Sequence, residues 1–344
     1  MTLPVRPPVK PMLAKIFEVM PEGDDWIYEP KWDGFRTLVF RDGDDIELRS
    51  RKDRPMNRYF PEMESLLLER LPERCVLDGE IIIPSDEGLQ FEWLQLRLHP
   101  AESRVKKLAA ETPTSFVGFD VLAIGDEDLR TAPLSERLAR LTDLFGADRP
   151  DVARDPATTP GSRFYLTPCT DDASIAADWF EDLERVHLDG IIAKKLSLPY
   201  REDERVMIKI KHRRTADCVV IGFRRNPKGA LVSLLLGLYE GEDLRYVGHT
   251  SSGSAADRKA AMEILAPLEA PAPASLEGDW GPGAQSRWSS GRPEYEWVSV
   301  EPKIVVEVSY DFMQGGYRFR HAARFMRWRD DKEPADCTFE QVQV

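Results

Sequence analysis

Lys31 stands two residues after Glu29 and just ahead of Asp33, Gly34 and Arg36, in the stretch EPKWDGFR. A lysine amine is a nucleophile only when neutral, and positive neighbours lower its pKa and favour that form. Asp33 can fix the turn, and Gly34 allows a second backbone or a ligand to come close. Alone, KxDGxR is a short pattern that also describes a strand start carrying solvated charges. Other chemistry-bearing residues follow. LDGEIII, from Leu77, and DGIIAKK, from Asp189, each place carboxylates and a glycine inside an apolar run. A carboxylate buried there needs a partner, because burying it unpaired is expensive. In VMIKIK, Lys209 and Lys211 alternate onto one strand face and aim two ammonium groups at one anion. Oxygen donors at Glu80 and Asp189 suit Mg2+ or Mn2+ held together with phosphates.

Strands must position most of these groups. FRTLVF and IELRS flank Arg41–Asp45, a hairpin turn containing Asp-Gly. VLDGEIII, SFVGFDVL, GIIAKK and VMIKIK read as further strands. Helices are expected over Pro61–Arg70, Leu134–Phe145 and Ser174–His187. ADRPDVARDPATTPG reads as a proline-rich loop. This mixed order predicts an α+β domain rather than a doubly wound one. After about His212 short strands dominate: ADCVVIGF, ALVSLLLGLY, DLRYVGH, KIVVEVSY and RFMRWR. One helix, Ala255–Leu265, and a Pro/Ala/Gly/Ser-rich loop over 269–291 interrupt them. That pattern predicts a small closed barrel of the OB type. The expected domains are 1–212 and 213–344.

The motifs recur in a known order: KxDGxR at Lys31–Arg36, Ser50-Arg51, Leu77–Glu80, Phe116–Asp120, Asp189–Lys194, Lys209-Ile210-Lys211, and Arg329-Asp330-Asp331-Lys332. In that order they resemble the covalent nucleotidyltransferases. The phrases EPKWDGFR and RFMRWRDDKEP are similar to those of short bacterial ATP-dependent DNA ligases, ligase C and the ligase module of ligase D. The resemblance spans nearly the whole chain. It implies an adenylation (nucleotidyltransferase) domain of mixed, mostly antiparallel sheets with helices, followed by an OB-fold β-barrel. It also implies that ATP is used through a lysyl-AMP on Lys31, that the AMP passes to the 5′-phosphate of a DNA nick, and that the 3′-hydroxyl then seals the strand.

By the same resemblance Glu29 meets the adenine amino group and Phe119 stacks on the base. Arg36 and Arg51 contact ribose or phosphate, and Lys194 belongs to the nucleotide-binding set, while Lys209 and Lys211, on one strand face, aim at the α-phosphate. Glu80 contacts the nucleotide, and with Asp189 serves Mg2+ or Mn2+. Many relatives carry glutamate at the position of Asp189, so its shorter arm leaves a bridging water as the alternative to direct contact. Arg329 and Lys332 are expected to orient pyrophosphate in the first step only. That requires a hinge near His212–Arg214 and closure of the second domain.

Each motif residue has a plainer alternative. Glu29 could be an exposed acid at a strand edge, Phe119 ordinary core, Arg51 a solvated hairpin arginine, and Asp78 a structural hydrogen-bond acceptor. At the level of function, a GTP-dependent capping enzyme, an RNA ligase and a non-catalytic OB-type DNA-binding protein compete with the ligase. Retention of Lys31 and of the KxK lysines argues against the last.

The net charge of −13 looks wrong for a protein that meets nucleic acid, but distribution matters more than the sum. Residues 213–344 hold 17 Lys/Arg against 19 Asp/Glu, a net of −2, and their bases cluster around Arg224–Lys228 and Arg318–Arg329. Such clusters suit a polyanion-facing surface. The four cysteines are far apart with no CxxC pair, which fits a reducing cytoplasm rather than a disulfide frame or zinc knuckle. No run is long and apolar enough to span a membrane. The expected partner is nicked duplex DNA, with repair proteins assisting nick finding; a cytoplasmic, two-domain, monomeric enzyme of DNA repair and recombination is the resulting expectation.

Overall fold

The structure is a computed structural model that describes residues 2–85, 88–145, 163–182, 188, 190–212, 214–251, 253–272, 276 and 295–342. The chain divides into two compact units, Met1–His212 and Arg213–Val344.

The first unit opens with β1 (Leu13–Phe17), β2 (Trp26–Pro30), β3 (Phe35–Asp42) and β4 (Asp45–Ser50). Helix α1 (Pro61–Arg70), with proline in its first turn, leads to β5 (Arg74–Ile82). A two-residue ladder, β6 (Pro84–Ser85) and β7 (Gly88–Leu89), precedes α2 (Phe91–Arg97) and α3 (Glu102–Glu111). Then come β8 (Ser115–Ile124), β9 (Glu127–Asp128), α4 (Leu134–Phe145), β10 (Phe164–Leu166), α5 (Ala173–Asp182), β11 (Ile191–Lys195) and β12 (Arg205–Ile210). Two sheets result. One runs β1-β12-β11-β2, and the other runs β10-β8-β5-β3-β4 with β9 beside β8. The expected α+β arrangement is present and its ladders are mostly antiparallel; β1–β12 and β8–β10 are parallel.

Helices α2 and α3 have no counterpart in the sequence reading; in ESRVKKLAAE the apolar stripe is short, Val105, Leu108 and Ala109, and only Val105 is buried. The proline-rich loop over 147–161 and the last part of the expected helix Ser174–His187 lie outside the described residues.

The second sheet carries two buried acids side by side. Asp78 on β5 is the cross-strand partner of Asp120 on β8. Like charges opposite one another destabilise a sheet, and here each has its own arginine. Arg36 Nε and Nη2 donate to Asp78 at 3.0 and 2.6 Å. Arg137 Nε and Nη2 donate to Asp120 at 2.7 and 2.9 Å. Tyr200 adds its hydroxyl to Asp78 at 2.6 Å, and burial holds that phenol well above its ordinary pKa, so it stays a donor. The apolar core surrounds this row on both faces, with Val39, Leu77, Phe116 and Val121 in one cluster and Leu38, Val76 and Leu122 in another.

The second unit has β13 (Arg214–Arg225), β14 (Leu231–Glu240), β15 (Asp243–His249), α6 (Ala255–Leu265), β16 (Glu296–Ser299), β17 (Val305–Tyr310), β18 (Met313–Gln314), β19 (Arg318–Phe319) and β20 (Arg324–Trp328). Helix α6 starts on a capping box between Ser254 and Asp257. The sheet order is β15-β14-β13-β17-β20, with β16 also on β13. The expected closed barrel is corrected here to an OB-like curled sheet. Its edges, β15 and β20, share no ladder among the described residues and meet only where Thr250 bridges Ala323, just beyond their ends. Strand-length patterns cannot show whether two edges zip together, because closure depends on accumulated twist and shear. Most of the loop over 269–291 lies outside the described residues.

Arg137 is wholly buried, so its removal strands the Asp120 charge in the core. Arg137→Ala is expected to lower unfolding free energy by about 3–5 kcal/mol, whereas Arg140→Ala, which breaks an exposed pair with Glu127, should cost about 1 kcal/mol or less. Urea denaturation of the three proteins measures both.

Candidate active site

Three strands of the first sheet set one row of side chains by register alone. Ile192 on β11 lies opposite Glu29 of β2 on one side and opposite Lys209 of β12 on the other. Lys194, two residues along β11, reaches diagonally to Glu29, and Nζ and Oε2 meet at 2.7 Å with both side chains buried. The exposed-edge alternative for Glu29 is therefore wrong. From the second sheet come Arg36, Glu80 and Phe119, on β3, β5 and β8, and Arg51 follows the end of β4. All of these line one cavity of about 220 Å³ together with Lys31.

Lys31 sits just beyond β2, where its backbone N–H donates to the carbonyl of Gly190 at 2.8 Å. Gly190 has φ +122°, and a Cβ there would stand 2.0 Å from the carbonyl oxygen of Ile210, so only glycine fits. Gly34 is equally constrained: a Cβ would lie 2.2 Å from the carbonyl oxygen of Ile81. The two glycines flanking the lysine's site thus serve close backbone approach.

Phe119 has Lys194 Nζ 4.6 Å and the Arg36 guanidinium carbon 5.2 Å from its ring centroid. Cations at that distance are attracted to an aromatic face. The Asp120–Arg137 pair, one residue on, fixes the strand that carries it. Arg36 also donates to the carbonyl of Met12 at 2.7 Å, so its guanidinium is held from two directions. Burial pushes the Glu80 carboxyl up to about 8, against the pull of the Arg36 and Lys31 cations. The assembly can take a planar base against Phe119, a hydrogen-bonding edge at Glu29 and Lys194, and an anion near Lys31 and Lys209.

Residues 11–211 match the family described as ATP dependent DNA ligase domain, and residues 227–332 match the ATP dependent DNA ligase C terminal region. DNA ligase C2 of Mycolicibacterium smegmatis is 48% identical, over 99% of this chain and 96% of its own length. The chain belongs to the ATP-dependent DNA ligases. It is therefore an enzyme that uses ATP to join DNA strands. DNA ligase C of Mycobacterium tuberculosis is 47% identical over 100% of this chain and 96% of its own. A solved Lig E DNA ligase, 18% identical, superposes with a TM-score of 0.57 over 93% of this chain and 99% of that one, which shows a shared fold.

Of the ligase's expected site residues, Glu29, Lys31, Arg36, Arg51, Glu80, Phe119, Lys194 and Lys209 come together at the cavity. Lys211 does not line it: β12 ends at Ile210, so alternation no longer sets the direction of the next side chain. Asp189 lies outside the described residues. Arg329 and Lys332 belong to the second unit, where both bond Asp217. Arg205 and Met207 line the cavity and were missed. Counting back by twos from Lys209 along RVMIKI reaches both, so strand alternation held the signal.

Glu80 carries a sign-defined pH effect in the nucleotide-free ligase. Its folded pKa, about 8 against an ordinary 4.5, means that stability is fullest below 4.5 and is lost as pH rises toward 8. Glu80→Gln cannot ionise. Its stability relative to the wild type should rise by about 1–3 kcal/mol between pH 5 and pH 8, read from urea unfolding across that range.

Proposed function

We propose that Lys31 is the nucleophile that captures AMP, and that the surrounding cavity is the ATP site. The carrying observation is the convergence of Lys31, the Glu29–Lys194 pair and Phe119 on one cavity. The Lys31 amine attacks the α-phosphorus of ATP, an N–P bond forms, and the bond to pyrophosphate breaks. The 5′-phosphate of a DNA nick then attacks the same phosphorus and frees the lysine. Last, the 3′-hydroxyl attacks the DNA phosphate and AMP leaves with its oxygen.

Each side chain has a share in this. Glu29 accepts from the exocyclic amine of adenine and Lys194 donates to the neighbouring ring nitrogen. Guanine reverses both groups and would set its carbonyl against the carboxylate, which supports ATP over GTP. Phe119 supplies the stacking face. Arg36 and Arg51 meet ribose or phosphate, and Lys209 neutralises charge on the α-phosphate; Lys211 assists from the end of its strand. Arg329 and Lys332 serve the departing pyrophosphate in the first step. Phosphoryl transfer asks a protein mainly for positioning and charge stabilisation, and these residues offer both.

A divalent ion fits this donor set as an ion carried in by the nucleotide. Glu80 offers a hard oxygen at the cavity, and no cluster of three or more His, Cys, Asp or Glu exists among the described residues to form an all-protein cage. Glu80 and Asp189 would hold Mg2+ or Mn2+, which when bound neutralises phosphate charge. Nicked duplex DNA is the substrate, met partly by the basic clusters of the second unit. Repair is the cellular role, as a cytoplasmic monomer that repair proteins help to find nicks. Among the described residues no helix is long and apolar enough to cross a membrane.

Lys31→Ala should take up no label from α-labelled ATP and magnesium under conditions where the wild type forms a stable protein–AMP adduct. An adduct of equal yield on the variant would move the nucleophile elsewhere. Glu29→Gln should raise the KM for ATP roughly tenfold to a hundredfold, as expected for one lost charge-assisted hydrogen bond, and narrow the preference for ATP over GTP in the same labelling assay.

A further inference from the structure

Asp217 lies on β13 of the second unit and is nearly buried. Its carboxylate takes Arg329 Nη1 on one oxygen at 2.8 Å and Lys332 Nζ on the other at 2.9 Å. Its backbone is clamped as well. Gln341 accepts from the Asp217 N–H at 2.8 Å and donates to the Asp217 carbonyl at 2.9 Å. Arg329 also reaches Asp331 through Nε and Nη2, but Asp331 is 65% exposed. An exposed pair is screened and exchangeable, whereas an enclosed one persists. Asp217 is therefore the lasting partner of both cations.

Two cations side by side repel, and each hangs on a long flexible chain. One carboxylate between them offsets the repulsion and fixes both rotamers before any ligand arrives. Among the described residues, Lys332 keeps two N–H donors beyond the bond to Asp217, and Arg329 keeps an N–H on each terminal nitrogen beyond its bonds to Asp217 and Asp331. Such a preset fork matches an anion with several oxygens.

We infer that Asp217 is a positioning residue for the first chemical step, holding Arg329 and Lys332 as a fork for the pyrophosphate of ATP. The inference rests on the reading of those two cations as pyrophosphate contacts. Asp217 touches no substrate and acts only through them. Its effect therefore belongs to lysyl-AMP formation and not to sealing of DNA that already carries AMP.

The experiment compares wild type, Asp217→Asn, Arg329→Ala, Lys332→Ala and the double variant Asp217→Asn/Lys332→Ala. Two rates are measured: adduct formation with labelled ATP, and sealing of a pre-adenylylated nicked duplex without ATP. Asp217→Asn should slow adduct formation roughly tenfold or more, as lost preorganisation does, and leave sealing within about twofold. The double variant should lose less than the product of the two single losses, since Asp217 acts partly through Lys332 and the remainder is its share through Arg329. Equal losses in both reactions, or additive losses in the double variant, would reduce Asp217 to a structural role and overturn the inference. Faster adduct formation in Asp217→Asn would overturn it too, by showing that the acid restrains the cations. If Arg329→Ala and Lys332→Ala both form adduct at the wild-type rate, the underlying reading fails and the inference fails with it.

Discussion

A carboxylate and an ammonium group, Glu29 and Lys194, face each other at 2.7 Å with almost no access to solvent. Taking two charges out of water costs several kcal/mol, and their attraction at best repays it. Such a pair contributes little to net stability, and a hydrophobic pair of equal volume would serve the core as well. Its value lies in what it offers a ligand: one acceptor and one donor, fixed beside the Phe119 ring. The pair exists only because β2 and β11 run antiparallel with Glu29 opposite Ile192. A slip of one residue would turn Glu29 to the other face of the sheet.

The second sheet answers the same constraint differently. Asp78 and Asp120 are neighbours on adjacent strands, and each is neutralised by its own arginine. These ion pairs hold Arg36 and the strand bearing Phe119 in set positions before a nucleotide binds. Glu80 has no such arrangement and responds by keeping its proton, with a carboxyl pushed up to about 8. Charge in and behind the cavity thus meets three outcomes: pairing with a lysine, bidentate pairing with an arginine, and a raised carboxyl pKa.

The second unit shows that net charge describes surface behaviour and not the placement of functional groups. Its near-balanced composition contains an enclosed acid that gathers Arg329 and Lys332, and edge pairs such as Arg225–Glu296 that occupy part of its basic residues. Among the described residues its curled sheet joins its edges through the Thr250–Ala323 bridge beyond the strand ends, without a continuous ladder.

What the sequence determined by itself is local. Strand patterns placed the segments that carry Glu80, Phe119 and Lys209, a proline marked the start of α1, and the order of short motifs identified the chemistry, but the strand under Glu29, β2, was not read. Strand alternation would have found Arg205 and Met207. It could not serve for Lys211, which lies past the strand end, and a short stripe within a mostly charged segment concealed α3. Tertiary structure alone decided which charges meet. Arg36 and Asp78 are 42 residues apart, Tyr200 and Asp78 are 122 apart, and Arg329 and Asp217 are 112 apart. Local pattern shows that a side chain faces inward, but the partner it finds there depends on strand order and register. Those follow from how whole apolar faces pack, a property of no short window.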